Sequence, residues 1–122
     1  MGATGYDPND PVHVYLREFE KIPPLSRDEE IELLQHVRTK DLQAESASRR
    51  LIEANLRLVA SIAQQQSSAG IDVLDLIQKG NDGLLVAVET FATSSSANFS
   101  AHVAACVGEA ISKAIAESRN DT

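Results

Sequence analysis

The stretch RRLIEANLRLVASIAQQQSSAGIDVLDLIQKGNDGLLVAVETF, from Arg49 to Phe91, decides the fold of this chain. Its leucine, isoleucine and valine residues recur every three or four positions, which is the spacing of one face of an α-helix. A polar break from Ser67 to Gly70 separates two apolar segments. The stretch therefore predicts two consecutive amphipathic helices, the first with an apolar face wide enough to be buried against several partners.

The second of these helices is expected to begin at Asp72, a good N-cap residue, and to carry its apolar face as far as Phe91. Gly80 and Gly83 lower its helix propensity by about 1 kcal/mol each relative to alanine. Asn81 is therefore expected to restart a turn after Gly80.

A short helix is predicted near the N-terminus, after a loose tail over residues 1–9. Asp10 followed by Pro11 is typical of an N-cap and a first helical position. Apolar residues at helical spacing then predict a helix from Pro11 to Glu20.

Ser26 and Glu29 form a capping box, which predicts a further helix ending near Thr39. Asp41 is then expected to cap the long helix that contains Arg49. The buried face of the capping-box helix is predicted to consist of Ile31, Leu33, Leu34 and Val37.

Composition changes abruptly at Ala92, where ATSSSA replaces the aliphatic pattern over residues 92–97. A loop is predicted from Ala92 to Asn98, followed by a last helix capped by Ser100. Its inward residues are expected to be Val103, Val107, Ala110, Ile111 and Ala114. Because no segment alternates apolar and polar residues as a strand does, the predicted fold class is all-α, a helical bundle.

The net charge of −7 argues against tight, independent binding to nucleic acid, which requires clustered lysine and arginine. The single cysteine, Cys106, excludes an internal disulfide and fits a reducing cytosol, so a cytoplasmic location is expected. No apolar run is long enough for a membrane span.

Catalytic and metal-binding patterns are missing from the sequence. His13, His36 and His102 lie far apart and show no zinc-like spacing with other ligands. No nucleophile motif and no phosphate-binding glycine loop occurs, so neither an enzyme nor a bound cofactor is expected.

Four segments resemble bacterial RNA polymerase sigma factors of the sigma-70 family, in the family's order. DPVHVYLREF, from Asp10, is similar to the first helix of the region that precedes domain two. IPPLSRDEEIELLQHV is similar to the second helix of that same region. RRLIEANLRLVASIA resembles the first long helix of domain two, and DVLDLIQKGNDGLLVAVETF the segment that grips the clamp helices of the largest polymerase subunit. The resemblance extends to about Arg119. It implies pre-domain helices over residues 10–40 and a sigma domain-two-like bundle over residues 41–122.

By this resemblance, polymerase binding falls to one helix, where polar groups surround an apolar strip suited to a basic helical hairpin. Lys79 is a departure, because the family usually has glutamate there. The alternative is that the leucines of this set are core residues and its polar residues are simply solvated. The implied polymerase-binding residues are Leu74, Asp75, Gln78, Lys79, Asn81 and Leu85.

The segment that opens promoters in the family is altered. Melting requires aromatic side chains against unstacked bases and basic residues along the backbone. Here the arginine pair is replaced by Ser94 and Ser95, and Gly108 and Glu109 stand at the duplex-reading positions. From Gly70 onward there are three basic residues against seven acidic ones, which disfavours phosphate. The positions of the family's aromatic residues hold Ala97, His102, Ala105 and Cys106. The residues that remain as candidates for DNA contact are Arg17, Phe99, His102 and Lys113.

The resemblance implies a transcription initiation protein that binds core RNA polymerase, with recognition and melting of the promoter −10 element weakened or lost. On this interpretation the protein contacts promoter DNA only as part of the holoenzyme. The alternative is a sigma mimic that regulates transcription by occupying core polymerase or an anti-sigma factor without engaging DNA. A structural or decayed relative without a partner is a third interpretation.

Overall fold

The computed structural model describes residues 10–67, 70–91 and 98–120. Within them the chain forms α1 (Pro11–Arg17), α2 (Arg27–Thr39), α3 (Ala44–Gln66), α4 (Val73–Thr90) and α5 (Phe99–Asn120). These residues contain no β-strand, which confirms the predicted all-α fold class. The predicted tail over residues 1–9 and the predicted loop over residues 92–97, with Ser94, Ser95 and Ala97, lie outside the described residues.

The hydrophobic core lies between α3, α4 and α5, and α4 packs along both of the other helices. It is almost entirely aliphatic, as the aromatic content of 4% requires. Each such side chain contributes about 1.5–3 kcal/mol when fully buried. None of the helices in the described part of the chain is long and apolar enough to cross a membrane. The largest fully buried side chains are Leu51, Val59, Leu76, Ile77, Leu84, Val88, Val103, Val107 and Ile111.

Two glycines allow α4 to approach its neighbours closely. A Cβ atom at Gly80 would lie 2.6 Å from Cγ1 of Val59, on α3. One at Gly83 would lie 2.7 Å from the backbone oxygen of Cys106, on α5. α4 nevertheless continues without interruption from Val73 to Thr90, so the predicted restart at Asn81 is wrong. Tight packing on both sides offsets the low helix propensity of glycine.

The caps of α1, α2 and α4 are those predicted. The side chain of Asp10 accepts a hydrogen bond from the Val12 amide at 2.9 Å, and Asp72 accepts one from Leu74 at 2.9 Å. In the capping box, the Ser26 hydroxyl accepts from the Glu29 amide and the Glu29 carboxylate from the Ser26 amide. α1, however, ends at Arg17, not Glu20, because the next three amides donate to carbonyls three residues back, as in a tight turn.

The predicted caps of α3 and α5 are wrong. The N-cap of α3 is Gln43, without a side-chain hydrogen bond, because the Asp41 carboxylate instead closes the α2–α3 connection. Its oxygens lie 2.6 Å from Nδ1 of His36 and 2.8 Å from the Gln43 amide nitrogen. α5 begins at Phe99, one residue before Ser100, and the Asn98 side chain accepts a hydrogen bond from the Ala101 amide at 3.1 Å.

α1 and α2 pack on the outside of the three-helix core. α2 lies against α3 and contains no fully buried residue. Leu33, Leu34 and Val37 are half-buried as expected, whereas Ile31 is 45% exposed, which corrects its assignment to the buried face. α1 contacts both α3 and α4, with Val12 as its buried anchor. The boundary at residue 40 stays a prediction.

Candidate functional site

The outer face of α4 carries all the residues predicted to bind polymerase, because the inner face of the same helix fills the core. Leu74, Gln78, Asn81 and Leu85 follow at intervals of four, three and four, so they form one stripe along the helix. Asp75 and Lys79, one turn apart, lie about 100° around the helix from this stripe. Together these six residues define what we call the α4 face.

The α4 face mixes polar and apolar side chains, with Leu74 and Leu85 at the two ends of the stripe and Gln78 and Asn81 between them. Asp75, Gln78 and Lys79 are exposed. Leu85 is 44% exposed, whereas Leu74 is half-buried and packs against the core. Leu74 therefore helps to pack α4 on the core, while Leu85 is available for contact with a partner. The alternative that both leucines are core residues fits Leu74 and does not fit Leu85.

Asn81 lies at the edge of the α4 face, against α1. Its Nδ2 donates a hydrogen bond to the Tyr15 hydroxyl at 3.3 Å. Its Oδ1 is buried and has no hydrogen-bond partner among the described residues. An orphaned amide oxygen is unfavourable, at about 1–3 kcal/mol. Asn81 thus uses its amide donor to hold α1, while its buried oxygen has no hydrogen-bond partner among the described residues.

Val86 is a surface residue that the sequence patterns did not single out. It is 49% exposed, and it lies about 100° around the helix from Leu85. Its neighbours one turn away are Asp82 and Thr90, both exposed. An apolar residue among polar neighbours at helical spacing was the available signal.

The residues left for DNA lie in three different settings. Arg17 is exposed at the end of α1, in a cleft of about 260 Å³ that also includes His13 and Arg57. Phe99 is only 4% exposed, and its ring packs edge-on against Phe91 at a centroid distance of 5.1 Å. Lys113 is exposed on α5. These side chains do not form one continuous surface.

His102 is tied to α4 and to its own helix. Its Nε2 lies 2.9 Å from the Thr90 hydroxyl and 3.7 Å from the sulfur of Cys106, and its ring tilts against Phe91. Burial, aided by the charge of Glu109, raises the pKa of the Cys106 thiol, so this thiol is held in its neutral form. No group of three or more metal-ligating side chains occurs in the described ranges.

The outward face of α5 is made of small, uncharged side chains over most of its length. Ala101, Ala104, Ala105 and Ser112 are exposed there, and Glu109 adds a negative charge. The exposed cations of α5, Lys113 and Arg119, are balanced by the exposed acids Glu109 and Glu117. The helix therefore offers no exposed aromatic face to stack on bases and no net positive charge to neutralise phosphates.

Comparison with known proteins covers nearly the whole chain. A family model described as Sigma-70 region 2 matches residues 51–120. A second, Sigma-70 factor, region 1.2, matches residues 10–39. The first match includes α4 and α5, and the second includes α1 and α2.

Individual relatives point the same way. Over 109 residues the chain is 47% identical to an RNA polymerase sigma factor SigA of a Bacillus species. It is 46% identical to the SigA of Clostridium acetobutylicum and 44% identical to that of Listeria monocytogenes over the same length. In each case the match covers 89% of this chain and 28% of the relative. The chain thus spans little more than a quarter of these proteins.

Proposed function

The chain belongs to the sigma-70 family, and from this membership we propose that it acts in transcription initiation by binding core RNA polymerase through the α4 face. The partner is the pair of clamp helices of the largest polymerase subunit. The role is one of binding, without catalysis or a cofactor, and it is exercised in the cytoplasm.

The observation that carries this proposal is the α4 face itself. It combines an exposed leucine, Leu85, with the exposed polar side chains of Asp75, Gln78 and Lys79. Specific protein interfaces combine apolar contact with direct hydrogen bonds, and this face offers side chains for both. Gly80 and Gly83 seat the helix against α3 and α5, so the face is presented on a rigid support.

Recognition and melting of the promoter −10 element are weakened or lost in this proposal. Phe99, the one aromatic residue kept in the promoter-opening segment, is used in the core against Phe91. The outward face of α5 consists mainly of small side chains and carries no net positive charge, since the exposed Lys113 and Arg119 are balanced by Glu109 and Glu117. The remaining cations, Arg17 and Lys113, lie on different helices and give no continuous track for a strand.

The second candidate is a sigma mimic that occupies core polymerase, or an anti-sigma factor, without contacting DNA. Two features of the described residues favour it: α4 exposes a face with both polar and apolar side chains, while α5 has no exposed aromatic residue and no net positive charge. In its polymerase-occupying form, this second candidate differs from the first only in what happens at DNA after polymerase is bound.

A two-part binding experiment tests the proposal. Purified chain is titrated into core RNA polymerase, and the complex is then presented with a single-stranded −10 oligonucleotide. We expect the chain to bind core enzyme and the complex to retain little of the oligonucleotide. Leu85→Asp should abolish binding to core enzyme. Leu42→Asp, at an exposed site outside α4, should leave that binding unchanged. Absence of core binding would remove the first candidate and the polymerase-occupying form of the second. Efficient open-complex formation would contradict the loss of melting.

A further inference from the structure

Residues 10–22, which contain α1 and the turn after it, lie as a strap across the outside of α3 and α4. Within this strap Val12 is the one buried residue, and it lies outside the main core cluster. Phe19 and Ile22 border a cleft of about 330 Å³, and Ala54 of α3 lies on its other side. The strap is therefore packed more loosely on the bundle than the other helices are.

The strap is joined to α2 by a stiff connection. Pro23 and Pro24 have fixed φ angles, and each restricts the residue before it to extended backbone. Leu25, directly after them, packs against the core, and α2 begins at Arg27. Because the connection is stiff and anchored at its α2 end, the direction of the strap depends on how Pro23 is held.

Arg50, on α3, holds this connection. Its Nη2 donates a hydrogen bond to the backbone oxygen of Pro23 at 2.8 Å, across 27 positions of sequence. The Ser26 amide and hydroxyl lower the pKa of Glu29, and the charge of Arg50 adds to that effect, so the guanidinium lies near the start of α2. Hydrogen bonds from charged donors are stronger than those between neutral groups. Arg50 therefore clamps the connection where the strap begins.

Packing alone does not account for a guanidinium at this position. The Nη1 atom of Arg50 is buried and has no hydrogen-bond partner among the described residues. Nor does Arg50 form an ion pair with any carboxylate that the structure describes. A buried donor without a partner is unfavourable, and an apolar side chain of similar length would avoid that cost. What the arginine adds is the hydrogen bond to Pro23.

Loss of the clamp is expected to affect the strap locally. α1 has seven residues, fewer than the roughly 12–15 that an isolated helix needs in water. A strap that leaves the bundle therefore loses its helical hydrogen bonds. The helices α3, α4 and α5 keep the core that they share, so they remain folded. Weakly packed segments commonly open in this way without global unfolding.

We propose that Arg50 is the positioning residue of the strap: by clamping Pro23 it holds α1 on the bundle, and without it the strap opens while α2 to α5 stay folded. The strap carries Tyr15, which accepts the hydrogen bond from Asn81, and Arg17, a candidate for DNA contact. A residue of α3 thus sets the position of side chains on α1. The inference does not depend on polymerase binding.

Hydrogen exchange of the whole chain, followed by mass spectrometry, compares residues 11–22 with α3 and α5. Arg50→Met removes the donors and keeps an unbranched side chain. Arg49→Met makes the same change one residue away, where the side chain is exposed and lies 3.6 Å from Glu45, and serves as the control. Val12→Ala weakens the strap from its own side. Arg50→Met and Val12→Ala should each speed exchange of residues 11–22 about tenfold or more, with α3 and α5 little changed. Arg49→Met should alter neither region.

Three results would overturn the proposal. If Arg50→Met exchanges like the unmodified chain, the hydrogen bond to Pro23 does not hold the strap. If Arg50→Met speeds exchange equally in α3 and α5, the arginine stabilises the whole bundle and has no special effect on α1. If Val12→Ala leaves residues 11–22 unchanged, or affects all helices alike, the strap does not open as a separate unit.

Discussion

The side-chain amide of Asn81 donates a hydrogen bond to the hydroxyl of Tyr15 at 3.3 Å, and so joins α4 to α1 across 66 positions of sequence. The Tyr15 ring is itself held edge-on against Phe19, with centroids 4.7 Å apart. Because Asn81 also lies at the edge of the α4 face, the position of α1 and the shape of that face are linked through one polar contact.

We expect Tyr15→Phe to reduce the free energy of unfolding by about 1 kcal/mol, because it leaves a half-buried amide without its acceptor. Asn81→Ala should cost a similar amount. In urea unfolding, the double variant should lose less than the sum of the single variants, with a coupling of about 0.5–1 kcal/mol. Strict additivity would mean that the hydrogen bond contributes nothing.

Two glycine-to-alanine substitutions should act in opposite directions. At Gly83 the added Cβ meets a backbone oxygen at 2.7 Å, so Gly83→Ala should destabilise the protein by about 1–3 kcal/mol despite better helix propensity. At Gly108 the nearest atom is Nε2 of Gln66 at 3.6 Å, an ordinary contact, so Gly108→Ala should stabilise by about 0.5–1 kcal/mol. Thermal unfolding of the pair checks both, and equal shifts would contradict the close packing of α4 on α5.

The connection between α2 and α3 should weaken in acid. The hydrogen bond from His36 lowers the pKa of the Asp41 carboxyl below its ordinary value of 3.8, and the Gln43 amide and Thr39 hydroxyl add to the effect. A depressed pKa means that the unfolded chain binds the proton more readily. The stabilisation is therefore fully present above pH 3.8 and is lost as the pH falls through the lower folded value.

The measurement is chemical unfolding of the unmodified chain and of Asp41→Asn between about pH 6 and about pH 2.5. The difference in free energy of unfolding between the unmodified chain and Asp41→Asn should be constant near the upper pH and should disappear in acid. Glu53→Gln, at an exposed position in the middle of α3, serves as the control and should leave the acid dependence largely intact. A gap that stays constant down to the lowest pH would rule out a role for Asp41 in acid sensitivity.

Lys79 bears on polymerase binding directly. By resemblance to the family, glutamate is usual at this exposed position, and a basic partner would be repelled by the lysine. Lys79→Glu should therefore raise affinity for core polymerase, by about five- to tenfold at low salt and less at high salt. Lys21→Glu makes the same charge change at an exposed site outside α4 and should have a much smaller effect. If Lys79→Glu weakens binding instead, the partner is acidic at that point.

Local signals predicted most of the fold. The Ser26 and Glu29 capping box and the Asp10 and Asp72 caps depend on residues within three positions, so the sequence contains the whole interaction. The prediction of Ser100 as the cap of α5 was wrong, and the Asn98 side chain takes that place. Both are good cap residues, and only the three-dimensional path of the chain selects one. Ile31 fits a helical apolar face by spacing, yet it is exposed because α2 lies on the surface of the core.

The candidate site was less predictable. Helical spacing was enough to place Leu74, Gln78 and Leu85 on one face. It gave no sign that Gly80 and Gly83 are contact points with α3 and α5, or that Asn81 bonds to Tyr15, since these depend on helices brought together by folding. The exposure of Val86 was overlooked as well, because it depends on how α5 packs beside α4.

The approach of Gly83 to the Cys106 backbone has a consequence for how this chain can change over time. The spacing of α4 and α5 is set by inward-facing atoms, so outward positions such as Ala101, Ala105 and Ala116 should show little epistasis with the core. A recognition surface can then be gained or erased on α5 by substitutions that leave the remaining helices in place. The pair of helices α4 and α5 can therefore change its binding specificity by substitutions that leave its folding intact.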